Sequence, residues 1–533
     1  MIAVSLMPRS PGDALRSLER LAAVLQSVQS AIRIPQSAMS VELRLDALEA
    51  PDLSRLLARP PCPLIATCRP KREGGLYDGP EEPRLELLRQ AARLGAQYID
   101  IEHDAFQALG PVAPAKRIVS YHNFRETPPD LPAVHASLAR LGADVVKVAV
   151  MANHILDTAA VLRILRGARV PTIALSMGPR GLLTRILAPK FGAFLTYASF
   201  DEPVCHGRSC PAVPPHGSPP AAPGSPPRLR GAGLSGAPQA GPGQIPLSDM
   251  LNLYRVHRIG RATRVFGVIA DPVAHSLSPR IHNAAFADAG LDAVYLPLWV
   301  EGDPAAFVRA MREFGFDGYS VTIPHKQKVM EAMDDLAPLA RRIGAVNTVV
   351  RRPEGSLFGT NTDISAAVAS IEAVVGKGWL KGKRALLLGA GGLGRAMAFA
   401  LADAGAILTI TDLDITRAES LASEVDAVAV LSGFRVPGSE LILNCSPVGM
   451  HPDVTASPVP AEMLRKDMVV YDAVYNPAET KLLRDARAAG CRTVSGLDHF
   501  VRQAVDQFEL WTGQSAPVKT MRRVVTESLT PPG

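Results

Sequence analysis

Leu386–Asp412, LLLGAGGLGRAMAFALADAGAILTITD, decides the fold of the second half of the chain. An apolar strand runs into Gly389, Gly391 and Gly394, spaced G-x-G-x-x-G, and a stretch of helical period follows. Glycines at these places permit a tight turn and let backbone N–H groups approach a pyrophosphate at a helix N-terminus. The loop residues Gly389, Ala390, Gly391, Gly392, Leu393 and Gly394 are therefore candidate dinucleotide contacts, against the plainer reading of a strand-to-helix turn with no ligand. About twenty residues on stands Asp412, where a carboxylate bonds the ribose hydroxyls of NAD and repels the extra phosphate of NADP.

Upstream of this unit, from Arg264, a second α/β pattern contains the strands VFGVIA, AVYLPLWV, GYSVTIP and AVNTVVRR with helical stretches between them. The order implies two lobes, and the C-terminal helix at Phe500–Thr512 is expected to pack back on the first. HSLSP places Ser276 and Ser278 on a turn, two hydroxyls suited to a carboxylate. VTIPHK places Thr322 and Lys326 at a strand end, GAVNT contributes Asn347, and NTD contributes Asn361 and Asp363. A lysine and an aspartate converging beside a nicotinamide site form a proton-transfer pair for hydride chemistry at a secondary alcohol. Taken singly, either residue reads as half of a surface salt bridge.

In the first 200 residues eight short β-type runs alternate with helical stretches: Ile2–Leu6, Met39–Leu45, Pro63–Cys68, Gln97–Glu102, Lys116–Tyr121, Asp144–Ala149, Pro171–Ser176 and Ala193–Ala198. Eight such units predict a parallel (β/α)8 TIM barrel with its site at the C-terminal ends of the strands. An open doubly wound sheet is the alternative. Next comes residues 203–243, where 41 residues hold 11 Pro and 8 Gly. This composition cannot pack a core and predicts a disordered insertion. Because IPLSDMLNLYRVHRIG follows and reads as the eighth barrel helix, the insertion falls inside the last βα loop, and the junction is Gly260–Thr263.

Lys147 lies in the apolar strand DVVKVAV, where burial disfavours its charged form and leaves an amine able to attack a carbonyl. His122 ends the preceding strand on the same rim and can shuttle protons. Glu42 and Arg44 end the second strand, Arg69 and Glu73 follow the third, and Arg185 follows the seventh. Three arginines and two carboxylates on one rim suit a polyhydroxylated carboxylic acid.

Composition bounds the rest. The 533 residues predict three or four folding units, and 47% apolar with 20% charged residues describes a soluble globular protein. Proline, at 46 residues, is about 9% of the chain against a usual share of about 5%. A net charge of +6 spread along the chain does not point to nucleic acid. Six cysteines form no disulfide framework, no run approaches the length of a membrane span, and the N-terminus resembles no signal or transit peptide, so a cytoplasmic location is expected. Cys205, His206, Cys210 and His216 fit no zinc spacing, and no metal is expected.

Together these residues resemble the bifunctional 3-dehydroquinate dehydratase (type I)/shikimate dehydrogenase family over nearly the whole chain outside the insertion. VELRLD, TCRPKREGG, SYHNF, VVKVAVMANHILD and GPRGLLTRILAP match the dehydratase half. GVIADPVAHSLSPRIHN, GYSVTIPHK, GAVNT, GTNTD, GAGGLGRA, NCSPVGM, YDAVYNPAETKLL and FVRQAVDQFELWTG match the dehydrogenase half. The resemblance implies a dehydratase barrel at 1–260, a shikimate-binding domain at 263–365 plus 498–533, and an NAD(P)-binding Rossmann domain at 366–497. It implies an imine between Lys147 and the ketone of 3-dehydroquinate, proton transfer by His122 held by Glu73, and substrate contacts from Glu42, Arg44, Arg69, Arg185 and Gln244. For the reduction of 3-dehydroshikimate to shikimate it implies proton handling by Lys326 and Asp363, with Ser276 and Ser278 on the carboxylate. Thr322, Asn347, Asn361, Tyr475 and Gln503 would bind the ring hydroxyls, and Ala473, Gly496 and Arg417 the cofactor.

The sequence departs from the family pattern at four places. Residues 240–244 read AGPGQ where the family has S-x-P-G-Q. Residues 411–414 read TDLD, so Leu413 stands where the family places an arginine on the 2′-phosphate of NADP. The resemblance thus implies NADP(H), while Asp412 and Leu413 argue for NAD(H). NTDISA carries Ala366 for a glycine, and GLDHFV places His499 near the nicotinamide. Two other readings stay open: a catabolic quinate or shikimate dehydrogenase using NAD, and a working dehydrogenase joined to an inactive barrel. The partners implied are small-molecule substrates, with no nucleic acid or membrane; the oligomeric state is not legible.

Overall fold

The computed structural model describes residues 1–8, 10–32, 38–49, 51–200, 243–274, 276–431 and 438–529. The proline-rich stretch with its cysteine and histidine cluster lies outside the described residues, apart from Gly243. The chain divides into two compact units, Met1–Arg261 and Ala262–Gly533.

The first unit is a curled parallel sheet of β1 (Ile2–Leu6), β2 (Met39–Arg44), β3 (Leu64–Thr67), β4 (Tyr98–Glu102), β5 (Lys116–Asn123), β6 (Val145–Met151), β7 (Thr172–Met177) and β8 (Thr196–Ser199). Each strand pairs with its sequence neighbour from β1 to β7, and β1 also pairs with β8. The ring closes where the Phe194 N–H, just before β8, donates to the Thr172 carbonyl of β7 at 2.8 Å. All eight strands expected from sequence are present, and the barrel reading holds over the open sheet. Helices Pro11–Ile32, Glu81–Arg93, Leu131–Ala139 and Thr158–Gly167 supply the longer crossovers. The expected eighth helix is much shorter: β9 (Ile245–Pro246) pairs with β8, a wide helical turn spans Asp249–Leu253, and Arg255 at φ 50° ends it. A left-handed backbone at a non-glycine residue cannot continue a helix, so amphipathic spacing overestimated the element.

The second unit holds two sheets. The first is mixed, in the order β11 (Ala293–Trp299), β10 (Arg264–Ala270), β12 (Gly318–Val321), β14 (Thr348–Arg351), β15 (Leu357–Thr360), β13 (Asp335–Leu336), with β14 antiparallel to both neighbours. The second is all parallel, in the order β18 (Val428–Ala429), β17 (Ile407–Thr411), β16 (Arg384–Leu388), β19 (Leu441–Asn444), β20 (Val469–Asp472), β21 (Arg492–Val494). Numbered within the lobe this is 3-2-1-4-5-6, the doubly wound dinucleotide order, whose ligands bind at the carboxyl ends of the strands where the order reverses. Helices Gly496–Thr512 and Val518–Leu529 return to the first lobe, where Phe508, Trp511, Met521 and Val525 pack on Phe266, Phe286 and Tyr295. The helix expected after VTIPHK is a 3-10 turn, Lys328–Ala332.

Two candidate active sites

Lys147 lies midway along β6 and is only 5% exposed. Its neighbours are not apolar alone: Nζ donates to Asp100 Oδ2 at 2.7 Å, stands 3.7 Å from Glu42 Oε1 and lies 4.5 Å from the Tyr197 ring centre. The lysine therefore stands among carboxylates as well as apolar side chains. Arg69 joins the same cluster, reaching Asp100 at 2.8 Å, Glu102 at 2.6 Å and the Ser120 hydroxyl at 2.8 Å. Burial alone would raise the Asp100 carboxyl, but Arg69, Lys147 and His122 outweigh it and hold it well below the usual carboxylate range. Glu42 is fixed by the Ser5 hydroxyl and by Thr67 at 3.1 Å.

His122 stands two residues beyond Ser120, the register partner of Lys147, so its side chain leaves the same face one layer nearer the strand ends. Its Nδ1 lies 3.1 Å from Glu73 Oε2. Burial, then the cations Arg69 and Lys147, push the imidazole well below its ordinary value, and burial pushes Glu73 up to about 7. A neutral imidazole whose Nδ1–H faces a carboxylate keeps a lone pair on Nε2, the arrangement of a general base. Arg44 is held in a fork by Asp46 at 2.7 and 2.9 Å. Arg185, buried in the short helix Leu182–Ile186, is lowered to about 10 by burial. Gln244 is also buried, and its Oε1 has no hydrogen-bond partner among the described residues. Gly243 before it must be glycine: its φ is 71°, and a Cβ would lie 2.5 Å from the Gly178 carbonyl oxygen.

In the second unit, Lys326 Nζ donates to Asp363 Oδ2 at 2.6 Å. Lys326 follows β12, and Asp363 opens the helix Asp363–Val375. Burial would raise Asp363, but Lys326 and then His499 outweigh it and hold it far below the usual range. His499 Nε2 stands 3.6 Å from the other oxygen, Oδ1. Around this pair, Asn361 Oδ1 accepts from the Asp363 N–H at 3.0 Å, and Asn347 Oδ1 accepts from the Thr362 N–H at 2.8 Å. The two asparagine amides therefore shape the NTD turn. Ser276 accepts from the Ser278 N–H at 3.3 Å at the start of helix Ser278–Asp288, and Thr322 continues β12, its N–H bonded to Ile269. Gln503 bonds its own helix at Phe500, and Tyr475 stacks on the Phe500 ring at 4.5 Å.

The glycine-rich turn has the form of a cradle. Gly389 has φ 101°, a Cβ on Gly394 would lie 1.8 Å from the Gly389 oxygen, and the side-chain position of Gly391 is open to at least 4 Å. A Cβ on Gly392 would come within 3.5 Å of Lys326 Cδ, so the turn and the lysine of the other lobe are neighbours. Gly392, Leu393 and Gly394 begin the helix Gly392–Asp403. Gly496 sits against the Ala473 and Val474 carbonyls, where a Cβ would be 2.5 Å from both oxygens. Asp412 accepts from the Ala390 N–H at 2.6 Å and the Asp414 N–H at 2.9 Å. Leu413 is 94% exposed, and Arg417 pairs with Asp414 at 3.3 Å on the surface.

A family model for type I 3-dehydroquinase matches residues 18–218, one for the shikimate dehydrogenase substrate binding domain matches 268–349, and one for the shikimate 5'-dehydrogenase C-terminal domain matches 496–526. The chloroplastic bifunctional 3-dehydroquinate dehydratase/shikimate dehydrogenase of Arabidopsis thaliana is 36% identical over 515 residues, covering 91% of this chain and 80% of that protein. The chain belongs to this bifunctional family. The shikimate dehydrogenase (NADP(+)) of Moorella thermoacetica is 42% identical over 286 residues, 51% of this chain and 96% of that protein. A crystal structure of a shikimate dehydrogenase in complex with NADP+ aligns at TM-score 0.49 and 36% identity over 51% of this chain and 98% of that one.

In this member of the bifunctional dehydratase/dehydrogenase family, the residues that sequence reading missed are Asp100, Glu102, Asp46 and Tyr197, all gathered around Lys147 or the rim arginines. A signal was present: in YIDIE, Asp100 and Glu102 alternate with isoleucines and so share one strand face. Among the described residues no cluster of three or more His, Cys, Asp or Glu is arranged for a metal ion, and no helix is long and apolar enough to cross a membrane.

Proposed function

We propose that the chain carries out two consecutive steps of the shikimate pathway, dehydration of 3-dehydroquinate to 3-dehydroshikimate and its reduction to shikimate. The dehydratase is assigned to residues 1–260, shikimate binding to 263–365 with 498–533, and the dinucleotide to 366–497. The observation that carries this reading is the burial of Lys147 among Asp100, Glu42 and Arg69 with the His122–Glu73 pair one layer above. The Lys147 amine adds to the substrate ketone and water leaves, giving a protonated imine. That cation replaces the ammonium charge, so Asp100 and Glu42 balance it before and after. The imine acidifies the neighbouring C–H; His122 Nε2 removes the proton and returns it to the departing hydroxyl, after which water frees Lys147. Arg44, Arg69, Arg185 and Gln244 complete the site around the carboxylate and hydroxyls.

In the second unit Lys326 gives a proton to the ketone oxygen as it becomes the alcohol, and Asp363 holds Lys326 in place. Ser276 and Ser278 receive the carboxylate; Thr322, Asn347, Asn361, Tyr475 and Gln503 line the ring. The cradle of Gly389–Gly394 with Gly496 and Ala473 fits a nicotinamide dinucleotide, which when bound supplies the hydride. Asp412 supports NAD(H) over NADP(H): its carboxylate is locked against the loop by Ala390 and Asp414, Leu413 offers no cation, and Arg417 alone remains. The deciding experiment follows 3-dehydroquinate to shikimate with NADH and NADPH in turn, and traps the imine with borohydride. Shikimate formation and a Lys147 adduct are expected. A folded protein without the adduct refutes the dehydratase half, and a strong NADPH preference refutes the cofactor assignment.

A further inference from the structure

The buried imidazole beside Asp363 has no assigned role. His499 is 6% exposed and lies one turn into the helix Gly496–Thr512. Positions 496, 499 and 503 share one helix face. His499 therefore sits between Gly496, pressed against the dinucleotide lobe, and Gln503, beside the NTD turn. Its Nε2 faces Asp363 Oδ1 at 3.6 Å while the other oxygen of that carboxylate holds Lys326 at 2.6 Å. The ring's Nδ1 is buried with no hydrogen-bond partner among the described residues, and the ring meets Tyr471 edge-on at 6.0 Å between centres. Another histidine of this unit, His282, also has unpaired ring nitrogens; what sets His499 apart is that its one close polar side-chain contact is with the carboxylate that orients Lys326. At 3.6 Å the pair is longer than a hydrogen bond, a separation that catalytic contacts often show before substrate is bound.

We propose that His499 is a positioning residue of the dehydrogenase site, keeping Asp363 turned so that its second oxygen stays on Lys326. As Lys326 gives up its proton, Asp363 loses its cationic partner, and the imidazole N–H is then the polar group left facing the carboxylate. This rests on the dehydrogenase reading of the second unit. The titratable groups that meet the ring are Asp363 and, through it, Lys326; Tyr471 from the dinucleotide lobe, which in turn feels Cys445; and Asp506 on its own helix, which also feels Arg502.

Reduction of 3-dehydroshikimate by the full-length enzyme is measured across pH for wild type, His499→Met and His499→Gln, with melting temperatures as a fold check. His499→Met removes the N–H donor: kcat falls about tenfold, KM for 3-dehydroshikimate stays within about twofold, and the acid limb of the profile moves up because Asp363 loses a neighbour favouring its charged form. His499→Gln keeps an N–H donor and recovers most of the rate and the limb. Superimposable profiles overturn the proposal, as does an equal loss in both variants with no movement of the limb. If His499→Met fails to fold, the Gln variant decides alone: a loss of rate as deep as that of Lys326→Ala overturns the proposal. A wild-type protein that reduces 3-dehydroshikimate with neither cofactor removes the dehydrogenase reading instead, and this inference falls with it.

Discussion

Both units place a lysine on a buried aspartate at nearly the same distance, Lys147 on Asp100 at 2.7 Å and Lys326 on Asp363 at 2.6 Å, yet the two pairs are embedded differently. Asp100 shares its charge with Arg69, which also binds Glu102, and Glu102 in turn meets the buried Arg84 at 2.8 Å. The barrel lysine is thus one member of a chain of alternating charges. Lys326 has the single carboxylate and, behind it, the imidazole of His499. A covalent step that keeps a cation on the lysine nitrogen needs surroundings that balance a persistent charge, and the barrel cluster provides that. A proton donor has to lose its charge once per turnover, and a lone pair of groups makes that loss less costly than a rigid network does.

Removing each lysine in turn tells the two pairs apart. Lys147→Ala abolishes the covalent route, so dehydratase kcat falls by at least about 10⁴-fold while reduction of 3-dehydroshikimate is unchanged. A separate assay of each reaction on one preparation checks it; residual dehydration near wild type means the lysine is not the nucleophile. Lys326→Ala is expected to cost the reduction about 10²- to 10⁴-fold, the range of a positioned proton donor, with the dehydratase untouched. A loss in KM alone would make Lys326 a binding group. Third in size is the cofactor: Asp412→Asn with Leu413→Arg removes a repelling charge and supplies a guanidinium fork, moving the NADPH/NADH ratio of kcat/KM up by roughly tenfold or more. No movement would mean that this strand end does not meet the 2′ position.

How much of this was legible follows from what each signal encodes. The barrel showed in eight strand-length apolar runs because every strand is covered on both faces, and the dinucleotide lobe showed in three glycines, of which the structure requires Gly389 for its backbone and Gly394 for its close approach. Lys147 was legible because a charged residue inside an apolar run is costly to place there for no reason, whereas His122, Lys326 and Asp363 stood out at strand ends and a turn through the company of their motifs. Asp100 and Glu102 were passed over because strand pairing, not local spacing, brings them to Arg69. Asp100 beside Lys147 comes from β4, so the pattern around Lys147 itself does not announce it. The short turn after β9 escaped because helical period in a peptide cannot register that Arg255 takes a left-handed backbone.

The smallest expected effect separates the two sites by stability. Burial raises Glu73 to about 7 from an ordinary 4.5, whereas Asp363 is held down by its cation. A carboxyl raised by folding binds its proton more tightly in the native state, so its favourable contribution is complete below pH 4.5 and is lost as pH rises to about 7. Above that, the ionised Glu73 destabilises the barrel by at most roughly 3 kcal/mol, less whatever residual solvation and His122 return. Glu73→Gln is therefore expected to raise the barrel's unfolding midpoint at pH 8 and to give no gain at pH 4. The same charge that costs stability puts the proton on His122 Nδ1 and frees Nε2, so wild-type dehydration should climb with pH through about 7. In Glu73→Gln, whose amide oxygen accepts from Nδ1–H at every pH, that rise should flatten. Asp363→Asn is expected to do the reverse in the second unit, losing stability above the acid range because Lys326 is left buried without its counter-charge. If both variants shift stability in the same direction at pH 8, the contrast between a strained carboxylate over the imine and a settled one under the proton donor is wrong.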